Sequence, residues 1–248
     1  NIINRIGGLL TDLSFDDKYY PFLDSIQNYY LCRSRYLAEK IISSIPQNDE
    51  TLKKVLWKFT ESVPQYKICQ YDKFRRSAYD AKTIRKAFPN IDQGEAFYNM
   101  CSEKDDSEYI YQQAALYFSE SHEYKKAFNW IDKARSLAYY NRFSIDSTYA
   151  QIYFDVNVDT DEITACEALK ILEECCNSDK RRILHVEEFA NRVIKYHKKY
   201  SDETSQKYVE TALRFVNDSV SDMNIVTSKI NKWRLSDVKT KLEKCINN

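Results

Sequence analysis

Glycine and proline are nearly missing from this chain. Its 248 residues include three glycines (Gly7, Gly8, Gly94) and four prolines (Pro21, Pro46, Pro64, Pro89). From Glu95 to Asn248, 154 residues, neither occurs, where average usage would place about 18. A sheet protein needs residues of positive or fixed φ at most of its corners. A nucleotide fold needs glycines against the phosphates. This stretch can supply neither, but it can form helices joined by polar turns. No apolar run approaches the roughly 18 residues of a membrane span, so no membrane partner is expected.

Net charge of one sign is also missing: 37 basic and 37 acidic side chains cancel. That argues against a surface that coats nucleic acid or hugs a membrane. The seven cysteines are odd in number and irregularly spaced. With no signal peptide before them, they read as reduced, mostly buried thiols in a cytoplasmic protein. The first residue is Asn1, not Met, which reads as a piece of a longer protein with other domains outside it. Apolar residues at 43% and charged residues at 30% make the chain globular rather than disordered.

The first hundred residues hold all the prolines, which punctuate short helical segments. Residues 22–45 place Phe22, Ile26, Tyr29, Tyr30, Leu37, Ile41, Ile42 and Ile45 near a 3.6-residue period. This predicts a helix ending before Pro46. A second amphipathic helix is predicted over 51–62 through Leu52, Val55, Leu56 and Phe59. Between Lys53 and Lys86 ten bases face three acids, interleaved with Trp57, Phe59, Tyr66, Tyr71, Phe74 and Tyr79. Bases plus aromatics can bind single-stranded nucleic acid. The residues for that alternative are Lys53, Lys54, Lys58, Lys73, Arg75, Arg76, Arg85 and Lys86. No nucleic-acid module signature accompanies them. The plainer reading is a solvated helix face with its aromatics turned inward. Residues 155–174 carry the opposite sign, seven acids and one lysine.

A repeat begins near Glu108. Tyr111, Ala114, Ala115 and Phe118 fit a first helix, Ser119 to Glu123 a polar turn, and Tyr124, Ala127, Ile131 and Ala134 a second helix. This is the tetratricopeptide pattern. Small residues let the paired helices approach, and large ones fill the gaps between them. The glycine usual at its turn is replaced by Ser121-His122-Glu123, and its terminal proline is missing. A second unit starts at Ser144, with Tyr149, Ala150 and Tyr153, then Ala168, Leu172 and Cys175 after the acidic loop. A third pair is expected over Val186 to Tyr200 and Glu203 to Val216, and a last helix over 222–246. The expected fold is therefore all-α: a tetratricopeptide-like solenoid over 106–248, preceded by a smaller helical connector over 1–105.

Catalytic and metal motifs are absent. Cys175 and Cys176 with His185 and His197 could be assembled as a zinc set. Adjacent cysteines strain one tetrahedral ion, however, and the histidine spacing is wrong for a finger. Glu173-Glu174 and Glu187-Glu188 point about 100° apart on a helix and make no acid–base dyad. His122 has no partner base or nucleophile in sight. No enzyme, metal or cofactor is expected of this chain. In such a stack the first helices line the concave face. The register then offers Tyr109, Gln112, Leu116, Ser119 and Glu120 in the first unit, and Ser147, Gln151, Phe154 and Asp155 in the second, as a protein-binding groove. Tyr139 and Tyr140 are open to two readings, recognition surface or amphipathic core edge.

Several segments carry a resemblance. Residues 29–42, "YYLCRSRYLAEKII", resemble the helix that follows the nucleotide-binding module of bacterial STAND ATPases. "GEAFYNMC" (94–101), 109–138 and 141–154 resemble the helical-repeat region of the same antiphage proteins. The resemblance implies the sensor part alone: a repeat that recognises a foreign, phage-derived protein and triggers oligomerisation and an effector elsewhere in the protein. Arg33 and Arg35 match the post-ATPase helix and become candidates for contacts with the rest of the chain. Tyr36 stands where His is frequent, which leaves nucleotide contact in doubt.

Overall fold

The computed structural model describes residues 23–26, 29–32, 44–62, 76, 78–139, 142–178, 183–221 and 229–246. The chain divides into two compact units, residues 1–106 and 107–248.

In the first unit a two-stranded antiparallel hairpin joins β1 (Leu23–Ile26) to β2 (Tyr29–Cys32), pairing Leu23 with Cys32 and Ile26 with Tyr29. The helix expected over 22–45 is therefore corrected at 23–32. The physical reason is that a short apolar run of aromatic and branched residues suits a strand as well as a helix. The two residues between the strands are the length of a tight hairpin connection. Arg33, Arg35 and Tyr36 lie outside the described residues. The described residues that follow include the helices α1 (Glu50–Ser62), α2 (Ala81–Ala87) and α3 (Ile91–Lys104).

Aromatic rings hold this unit together. Phe97 of α3 stacks on Phe88 with centroids 5.0 Å apart and meets Trp57 and Tyr79, each at 6.0 Å. Phe59 tilts against Tyr79, and the Tyr98 hydroxyl donates to the Tyr79 carbonyl at 3.0 Å.

Among the described residues the second unit has seven helices: α4 (Glu108–Glu120), α5 (Tyr124–Leu137), α6 (Arg142–Asn157), α7 (Glu162–Ser178), α8 (Ile183–Tyr200), α9 (Glu203–Ser221) and α10 (Lys229–Ile246). They pack as the pairs α4–α5, α6–α7 and α8–α9, with α10 laid against both helices of the last pair. The first helices α4, α6 and α8 also touch their neighbours in turn. Apart from the hairpin, the described chain is all-α and built from adjacent helix pairs. One apolar core runs from Ala150 and Phe154 of α6 through Leu169, Phe189 and Val209 to Leu242 of α10. Ala114, Ala115, Phe118, Ala127, Ile131 and Ala134, the small–large set of the repeat, are all buried.

With so little glycine and proline, helix ends are made otherwise. Asp49, Asp80, Asn90, Asp161 and Asp202 each accept from backbone N–H groups at a helix start, the usual office of an N-cap. His122 and Ser201, at the turns within the first and third pairs, take φ of 61° and 48°. That left-handed region is where a repeat of this kind normally uses glycine.

Candidate protein-binding edge

Part of the proposed groove of first-helix residues is taken up by the fold. Gln112 Nε2 donates to the Ser144 carbonyl at 3.0 Å and to Thr148 Oγ1 at 2.8 Å, so it bridges α4 to α6. Ser147 and Phe154 are buried. Gln151 Nε2 donates to Ser147 Oγ at 3.2 Å. Asp155 accepts from Arg192 Nη2 at 2.8 Å, and Arg192 also pairs with Glu188. Ser147 and Phe154 are thus corrected from groove residues to buried ones, while Gln112 and Asp155, half-buried, link neighbouring helices. The cause is the close approach of successive first helices, which turns the residues facing a neighbour into contacts. Tyr109, Leu116, Ser119 and Gln151 remain half-buried, and Glu120 is exposed.

Lys54, Lys58, Arg76 and Arg85 are exposed, Lys86 is half-buried in the last turn of α2, and Lys53 pairs with Glu50 at 2.9 Å. Lys73 and Arg75 lie outside the described residues. Trp57, Phe59 and Tyr79 pack against other rings of the same unit, so those aromatics form core, not a stacking platform for bases.

What the sequence reading missed is one edge of the stack. Paired helices run antiparallel, so the C-terminus of each second helix and the N-terminus of the next first helix share an edge. Three contacts mark it. Arg142 Nη1 reaches the Arg135 carbonyl, Cys175 Sγ reaches the Phe143 carbonyl, and Arg234 Nη2 pairs with Glu187 at 3.0 Å. Eight large apolar side chains are exposed among the described residues, and six belong to this edge: Leu137, Tyr139, Phe143, Leu184, Val220 and Trp233. Tyr139 is 80% exposed, Trp233 71% and Leu184 54%. Single exposed apolar residues need no explanation, but their gathering on one edge does. The signal was available only for Tyr139. Leu137 and Leu184 sit at helix ends, where the 3.6-residue pattern does not say which way the surface turns.

The edge is firmly built. Arg135 Nε and Arg142 Nε donate to the two carboxylate oxygens of Asp146 at 3.1 and 2.8 Å. The Arg135 guanidinium lies 4.1 Å from the centre of the Tyr149 ring. This cluster fastens α5 to α6. Cys175 and Cys176 of α7 are buried, and burial pushes both thiols up to about 12. They stay protonated and inert at neutral pH.

Among the described residues no group of three or more His, Cys, Asp or Glu could hold a metal ion. No described helix is long and apolar enough to cross a membrane. No family model, curated protein or solved structure matches the chain.

Proposed function

We propose that this chain is a non-catalytic protein-interaction module, in which a stack of helix pairs presents one apolar edge to a protein partner. The observation that carries the reading is the clustering of Leu137, Tyr139, Phe143, Leu184, Val220 and Trp233 on a single edge. Tyr and Trp are the side chains most often found as binding anchors, because they bury large area at low ordering cost. The finer reading follows the STAND resemblance: a cytoplasmic sensor whose partner is a foreign, phage-derived protein and whose engagement drives oligomerisation through the rest of its protein.

A photocrosslinking side chain placed at Tyr139 or Leu184, in host cells with and without phage infection, tests this. Discrete protein adducts are expected at these two positions and not at the exposed Glu167 and Glu210 of the second helices. Adducts confined to infected cells would favour the sensor reading. Equal labelling at all four positions would remove the edge as a binding site. Fluorescence anisotropy with single-stranded nucleic acid at low and physiological salt is expected to show no binding.

A further inference from the structure

We draw no further inference here: the strongest candidate, the apolar edge of the second unit lined by Leu137, Tyr139, Phe143, Leu184, Val220 and Trp233, carries nothing beyond the proposed function, because its arginines Arg135 and Arg142 are already paired with Asp146 and nothing in the structure shows what covers it.

Discussion

His122 shows how single residues absorb what the composition withholds. Its φ of 61° costs a non-glycine residue about 1 kcal/mol. Its ring recovers a little through a 3.1 Å contact with the Tyr124 hydroxyl. The capping aspartates have a pH consequence. The Asp161 carboxyl is held below the usual carboxylate range, first by the Thr164 hydroxyl, and the Asp202 carboxyl first by the Ser205 backbone N–H. Their folded values lie below the unfolded value of about 4, so the unfolded chain binds more protons in that window. The stability they contribute is present above about pH 4 and is lost as pH falls through the folded value. Thermal melts are expected to hold steady from pH 7 to 5 and to drop below pH 4. Asp202→Asn, which caps without titrating, is expected to drop less steeply, and an identical acid profile would argue against the cap.

Between elements, the polar links fall where successive first helices meet. Gln112 joins α4 to α6, Arg192 joins α6 to α8, and Glu187 joins α8 to Arg234 of α10. The Arg192 side chain is mostly buried, while its partners Asp155 and Glu188 keep some water contact. Removing the guanidinium therefore leaves carboxylates that can partly rehydrate. Arg192→Ala is expected to cost about 1–2 kcal/mol, between the exposed and fully buried cases. Denaturant midpoints measure it, and a change within 0.5 kcal/mol would mean the link contributes little. The paired helices themselves were legible in sequence. Tyr111 to Ala134, Ala168 to Cys175, and Tyr208 to Phe215 each follow the period that a two-sided helix must show. The hairpin at 23–32 was not legible, because four-residue strands have no room to display a period of two against one of 3.6.

At the scale of the whole molecule, stability of a stack is the sum of its pairs and the contacts between neighbours. The core from Ala150 to Leu242 lies wholly within residues 107–248. That segment expressed alone is expected to show a helical circular dichroism spectrum and a cooperative melt. A broad, non-cooperative melt would mean that residues 1–106 are needed to complete it. α10 is two-sided. Leu235, Val238 and Leu242 face inward, while Lys239–Glu243 and Lys241–Asp237 pairs line its other side.

The sequence alone determined the helical class, the pairing of helices and the set of small and large core residues. Each follows from local period and from turn residues that are present or absent. It could not determine which surface residues the stack would consume. Ser147 and Phe154 read as groove residues until neighbouring helices closed on them. Leu137 and Leu184 read as ordinary apolar residues until the antiparallel pairing set them on one edge with Tyr139 and Trp233. Exposure at a helix end depends on what packs beside it from other parts of the chain, and that information is tertiary.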